Sequence, residues 1–135
     1  MAGRVNRIRL VGLEFEEAPY EGVRATVELE WRSQAYTGIA EEPASEAGKL
    51  QSAARATTDA VGQVLGANIA TLKLLDIDTV NAFGTPAVIV ALSVHRQETE
   101  YFVGFCVVED EPAVAAVRSV LSATNRLIQR LENTI

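Results

Sequence analysis

The sequence predicts an α+β domain made of two βββα repeats, in which one helix covers each three-stranded antiparallel sheet. Two observations lead to this fold class. Segments of alternating apolar and polar residues, typical of half-buried strands, occur three in a row. A longer segment with apolar residues three and four positions apart follows, as in an amphipathic helix, and the whole order then recurs. We therefore expect two halves related by a pseudo-two-fold axis.

The first repeat covers about residues 5–66 of a single domain that spans residues 1–135. Its three predicted strands are Val5–Phe15, Val23–Trp31 and Ala35–Glu41. A helix is predicted over Ala44–Leu65, with Pro43 where the first helical turn tolerates it. The apolar stripe of this helix is predicted to consist of Ala47, Leu50, Ala54, Thr58, Val61 and Leu65.

The second repeat covers about residues 71–132. Its predicted strands are Thr71–Val80, Val88–His95 and Tyr101–Glu109, with a turn over residues 81–86. Asp110, Glu111 and Pro112 open a predicted helix that extends to about Glu132, and Asp110 is its predicted N-cap. The predicted stripe of this helix is Val114, Val117, Leu121, Thr124, Ile128 and Leu131. Leu50, Val61, Val117, Leu121 and Ile128 are expected in the core.

The two halves match by pattern at nearly constant offsets. Alternate residues of the second strand match at an offset of 63, from Val27 to Val90 and from Leu29 to Leu92. Gly38 matches Gly104 at an offset of 66, whereas the helical stripes align best at 67. We interpret this agreement as an internal duplication.

The halves differ in the polarity of their strands. The strands of the second half are apolar on both faces, within Val88–Leu92 and Phe102–Val108. One helix covers only one face of a sheet, so the other face needs a cover as well. That cover is either the first repeat or a second copy of the chain, and the sequence leaves both open.

Composition limits the classes of function. The chain has 135 residues, 48% of them hydrophobic and 22% charged, which is typical of a globular domain. Its formal charge of −6 argues against a nucleic-acid ligand. The longest apolar runs are far shorter than a membrane span, and the N-terminus has no signal segment, so we expect no membrane contact and a cytoplasmic location.

Candidate catalytic and metal-binding residues are few. The single histidine, His95, is expected in an exposed hairpin, and the single cysteine, Cys106, is expected to be a buried small hydrophobe. Asp76 and Asp78 are two apart on a strand and share a face, a pattern that can hold a hard cation but is commoner on a solvated strand. We therefore predict no catalytic residue, no metal and no cofactor, although a small carboxylate-dependent hydrolase or isomerase stays an alternative.

The second helix, especially residues 113–127 with their alanine-rich run ending in Asn125-Arg126-Leu127, resembles the C-terminal regulatory domain of 2-isopropylmalate synthase. The strand–glycine–helix junction at Gly38 is a second point of resemblance. The resemblance implies two βββα units that form a dimer and bind leucine near the interface.

The resemblance also implies where a ligand would bind. The Gly-x-Gly-x-Gly-Pro segment of that family corresponds to residues 38–43, where Ala40 and Glu42 occupy two of the glycine positions. The site implied is formed by this junction and its counterpart in the second repeat. Its residues are Gly38, Ala40, Glu42, Pro43 and Gly104.

Together these observations predict a non-enzymatic module that forms a homodimer and binds a small molecule, in line with an amino-acid-sensing regulatory domain. The alternative is a structural or adaptor protein that self-associates or binds a protein partner through the second sheet.

Overall fold

The computed structural model describes residues 7–66 and 69–133 and confirms an α+β fold of two βββα repeats. The predicted strand start at Val5 lies outside the described residues. The first repeat contains β1 (Arg9–Ala18), β2 (Gly22–Trp31), β3 (Gln34–Pro43) and α1 (Glu46–Leu65). The second contains β4 (Thr71–Ala82), β5 (Thr85–His95), β6 (Thr99–Val107) and α2 (Pro112–Asn133).

Each repeat forms its own antiparallel sheet, with the order β1-β2-β3 in sheet A and β4-β5-β6 in sheet B. The four strands β2 to β5 are longer than predicted because the turns are tighter. Arg32 and Ser33 join β2 to β3 with φ values of 52° and 66°, and Phe83 and Gly84 join β4 to β5 with φ values of 55° and 79°. Two-residue turns with positive φ match the twist of antiparallel strands. The predicted loop over residues 81–86 is therefore mostly strand.

A bulge occurs at the same place in both sheets. The pairing of β1 with β2 shifts between Leu10 and Gly12, which places Val11 as the extra residue. The pairing of β4 with β5 shifts between Leu74 and Asp76, which places Leu75 there. Bulges are specific local features, so their repetition supports the internal duplication independently of the hydrophobic pattern.

The helices and the inner faces of both sheets form one continuous core. α1 packs on β2 and β3 and also contacts α2 and β4, whereas α2 packs on β5 and β6 and also contacts β1. Four of the predicted core residues, Val61, Val117, Leu121 and Ile128, are buried, and Leu50 is half-buried. Ala47 is exposed, contrary to its place in the predicted stripe.

Both helices begin later than predicted. Pro43 is the last residue of β3, and Ser45 is the N-cap of α1, where its hydroxyl accepts a hydrogen bond from the Gly48 N–H at 2.9 Å. α2 begins at Pro112, so Asp110 lies two residues before the helix. The sequence pattern misplaced these starts because proline and acidic residues suit several positions near a helix start.

The helices are equivalent at an offset of 63, one turn less than the predicted 67. A Cβ atom on Gly38 would approach the carbonyl oxygen of Ala56 to 1.9 Å, and one on Gly104 would approach that of Ser119 to 1.8 Å. These two carbonyls belong to residues 63 positions apart. A shift of four residues keeps a helix's apolar stripe on the same side, so the pattern alone does not distinguish the two alignments.

Candidate functional surface

Sheet B exposes an apolar surface on the side away from the helices. Gly104 faces α2, so its neighbours Val103 and Phe105 point outward from the core. The exposed fractions are 72% for Tyr101, 53% for Val103, 45% for Phe105 and 42% for Val107. Their partners Ile89 and Ala91 on β5, both half-buried, share this side. We call this surface the apolar face: Ile89, Ala91, Tyr101, Val103, Phe105 and Val107.

The described residues of the first repeat, 7–66, do not cover the apolar face. The four β6 side chains are exposed although α1 and β1 are in place, and the contacts between repeats lie on the helix side. The sequence left open whether the first repeat or a second copy of the chain covers this side of sheet B. The described residues of the first repeat do not.

The corresponding side of sheet A is charged. Arg24 on β2 pairs with Glu41 of β3 at 2.7 Å and with Glu16 of β1 at 3.0 Å. The hydrogen bond and the charge of Glu41 raise the pKa of the Arg24 guanidinium. Arg9 pairs with Glu30 across β1 and β2. The two sheets of one duplicated fold therefore present opposite chemistry to the outside.

Gly38 and Gly104, two of the predicted ligand-binding residues, serve close packing of helix on sheet. Each lies where its own helix backbone fills the space that a side chain would need, at 1.9 and 1.8 Å. The structure places them on β3 and β6, in different sheets. Glycine is needed at both positions because the absence of a side chain allows α1 and α2 to lie directly on the strands.

The other predicted ligand-binding residues lie at the β3–α1 junction. Ala40 is buried, and Glu42 is half-buried and pairs with Arg55 of α1. Pro43 is exposed at the end of β3. The carboxylate of Glu42 is therefore engaged within the fold, and the ligand-binding role of this segment stays a prediction.

Side chains of α1 bind the outer edge of β3, a feature that the sequence analysis missed. Gln63 donates to the carbonyl of Thr37 at 2.7 Å, Asp59 accepts from the N–H of Ile39 at 3.2 Å, and Arg55 donates to the carbonyl of Glu41 at 3.2 Å. The three side chains are four residues apart and meet alternate strand residues. The signal in the sequence is the polar row at positions 55, 59 and 63 of an otherwise mostly buried helix.

A groove of about 770 Å³ lies between α1 and the first residues of β4. Gly62 and Gln63 form part of its helical wall, and Ala70, Leu72 and Leu74 form part of its strand wall. A Cβ atom added to Gly62 would meet no atom within 4 Å. In the sequence, Gly62 lies within the predicted helix Ala44–Leu65, and no pattern there indicates a groove.

The remaining candidate residues are exposed or half-buried. His95 is exposed and its Nδ1 lies 2.9 Å from the Thr99 hydroxyl, as expected for a hairpin residue. Cys106 is half-buried rather than fully buried, and its burial raises the pKa of the thiol. Asp76 and Asp78 are exposed, and each accepts a hydrogen bond at 2.8 Å from the N–H of the next residue.

Among residues 7–66 and 69–133, no group of three or more His, Cys, Asp or Glu side chains is placed to hold a metal ion. Within the same described ranges, neither helix is long and apolar enough to cross a membrane.

No family model matches the sequence. The curated proteins contain no match either. The resemblance to the regulatory domain of 2-isopropylmalate synthase therefore stays a prediction made from the residues quoted for it.

Proposed function

We propose that this chain is a non-enzymatic regulatory module that self-associates through the apolar face and binds a small molecule. The observation that carries the proposal is the contrast between the two sheets. The outer side of sheet A is crossed by ion pairs, whereas the apolar face of sheet B exposes Tyr101, Val103 and Phe105 to solvent. Contiguous exposed apolar surface of this kind marks interaction sites.

A second copy of the chain is the occupant that the area favours. The whole outer side of sheet B, with three strands spaced about 4.8 Å apart and nine residues rising about 3.3 Å each, measures roughly 430 Å². The apolar face occupies the β5 and β6 part of this side, and β4 contributes Asp76 and Asp78. Two such sides bury roughly 900 Å² in total, below the range of stable complexes and near that of transient ones. We therefore expect a reversible dimer whose population depends on concentration, a property that suits a regulatory module.

The small-molecule half of the proposal is supported by the resemblance and by open space in the fold. A regulatory domain that binds an effector needs a cavity of some hundreds of Å³, and the groove beside α1 has about 770 Å³. A ligand that binds the native state raises the melting temperature by mass action. A thermal-shift screen of amino acids and other small metabolites tests this half.

Self-association is tested by sedimentation velocity from low micromolar to about 0.5 mM protein. The wild type is expected to shift from a 14.5 kDa species toward a dimer as concentration rises. Val103→Glu places a charge on the apolar face and is expected to keep the chain monomeric, because an unpaired charge is costly to bury. Val11→Glu is the matched control, since Val11 on sheet A has the same exposed fraction of 53% as Val103.

The alternative function is an adaptor whose apolar face binds a different protein. A wild type that stays monomeric at the highest concentration would overturn the dimer and leave this alternative. A loss of self-association in Val11→Glu equal to that in Val103→Glu would show that general acidity, and not the apolar face, controls it.

A further inference from the structure

We propose that the groove between α1 and β4 binds the primary amide group of a small molecule through the backbone N–H and C=O of Leu72. This inference names a ligand class for the small-molecule half of the proposed function and rests on it. Its readout, however, is independent of self-association.

The second repeat shows what fits such a position. The side chain of Asn125 on α2 accepts a hydrogen bond from the Ile8 N–H at 2.8 Å and donates one to the Ile8 carbonyl at 3.3 Å. One carboxamide thus satisfies both backbone groups of one residue beside β1. Ile8 itself is buried.

The counterparts of these two residues are Leu72 and Gly62. The repeated bulge makes Leu10 equivalent to Leu74, so Ile8 is equivalent to Leu72. The helices match at an offset of 63, so Asn125 is equivalent to Gly62. In the first repeat, the residue that would hold the carboxamide therefore has no side chain.

The backbone groups of Leu72 point into the space thus left. The Val108 N–H donates to the carbonyl of Pro86, so residues of β5 at even positions turn their backbone groups toward β6. Along an antiparallel strand these groups alternate in direction, so odd positions of β5 turn toward β4. Their partners there include Thr71 and Lys73, which leaves the N–H and C=O of Leu72 directed away from β5.

The groove has room for a ligand larger than one carboxamide. It measures about 770 Å³ and is lined by both Gly62 and Leu72, and a Cβ on Gly62 would meet no atom of the described residues within 4 Å. Ala70 and Leu74 add apolar wall for the rest of the molecule. A carboxylate suits this site less, because it accepts from the N–H but offers no donor to the carbonyl.

A single amide fits better than an added peptide strand. A strand needs a run of alternating backbone groups along the edge of β4. The bulge at Leu75 interrupts that run three residues after Leu72.

The test measures the backbone amide chemical shifts of the protein during titration with two primary amides, propanamide and benzamide. Parallel titrations use the corresponding carboxylates, propanoate and benzoate. We expect both amides to move the Leu72 amide resonance in a saturable way, with benzamide binding more tightly because it fills more apolar wall. The carboxylates are expected to bind at least about tenfold more weakly, the effect of losing one hydrogen bond.

Two variants and one control use the symmetry of the fold. Gly62→Asn supplies the missing carboxamide and is expected to weaken amide binding by about tenfold or more, whereas Gly62→Ala, which adds a Cβ atom without the amide, is expected to retain it. Asn125→Gly is expected to open a second site at which the amides move the Ile8 resonance.

The outcomes separate the two proposals. Saturable shifts confined to residues 38–43, with Leu72 unmoved, overturn the groove while the small-molecule function stands. Equal binding of amides and carboxylates at Leu72 overturns the amide specificity. Absence of any saturable shift with either amide overturns the inference outright, whatever the sedimentation experiment shows.

Discussion

At the scale of single residues, two glycines determine how closely the helices approach the sheets. Gly38 and Gly104 face helical carbonyl oxygens in the two repeats, at distances that leave no space for a methyl group. The sequence alone predicted their equivalence, because both lie at the centre of a third strand. It did not predict their purpose, because close approach is a relation between segments far apart in the chain.

Replacement of Gly104 by alanine is expected to lower the free energy of unfolding by about 1–3 kcal/mol, since the new methyl group forces α2 away from β6. Urea unfolding measures the change. Gly12→Ala is the matched control, because Gly12 also lies in a strand and a Cβ there would meet no atom within 4 Å. Equal stability of the two variants would contradict the close-packing explanation.

Cys106 provides a pH-dependent prediction. Loss of solvation on partial burial raises the pKa of its thiol, despite the opposing charge of Arg118. Because the thiolate is the nucleophile, alkylation by iodoacetamide is expected to reach half its maximal rate at a higher pH in the folded protein than in urea. The folded state disfavours the thiolate, so its stability is expected to decrease as pH rises through the unfolded and then the folded pKa. A lower midpoint in the folded protein would contradict this.

At the scale of elements, α1 does more than cover sheet A. Its polar row at Arg55, Asp59 and Gln63 binds the backbone of β3 at its outer edge. An edge strand with free backbone groups is open to pairing with other chains, and side chains that occupy those groups prevent it. The corresponding contact in the second repeat is that of Arg126 with the carbonyl of Val103.

Asp59→Ala is expected to expose the Ile39 N–H and to speed its hydrogen exchange, because the carboxylate is the acceptor for that group. The loss of global stability is expected to be small, about 0.5–1.5 kcal/mol. Asp78→Ala is the control, since the Asp78 carboxylate accepts a hydrogen bond from the N–H of its neighbour Thr79 and from no distant strand among the described residues. Residue-resolved exchange that leaves Ile39 unchanged in Asp59→Ala would contradict the assignment.

At the scale of the whole molecule, the two repeats depend on each other. Val61 of α1 and Val117 of α2 belong to one core with strands of both sheets, and α1 also contacts β4. Its own sheet covers only one side of a helix, so a helix that is buried on most sides needs the other repeat to cover the rest of its apolar surface. The unit of stability is therefore the pair of repeats.

The separated fragments 1–66 and 67–135 are expected to be largely unfolded, since each loses the surface that the other repeat covers. Mixing the two is expected to restore the helical circular dichroism signal and a cooperative thermal transition. A cooperative transition in either fragment alone would show that a repeat is an independent domain.

The sequence by itself determined the order of the elements, the duplication and the two-sided apolar character of sheet B. These properties depend on periodicity within a segment, as in the alternation through Val27 and Leu29.

Tertiary structure alone decided the one-turn shift between the helices, the edge contacts of Asp59 and the groove that Leu72 lines. A stripe that repeats every three to four residues fits a sheet equally well after a shift of one turn, so only the contacts of Gly38 and Gly104 reveal the true alignment. Likewise, the role proposed for the position of Gly62 is visible only from its equivalent, Asn125, 63 positions away. The Asn125 side chain forms hydrogen bonds with the backbone of Ile8 in the other repeat. Such relations arise from packing between distant segments, which local patterns do not encode.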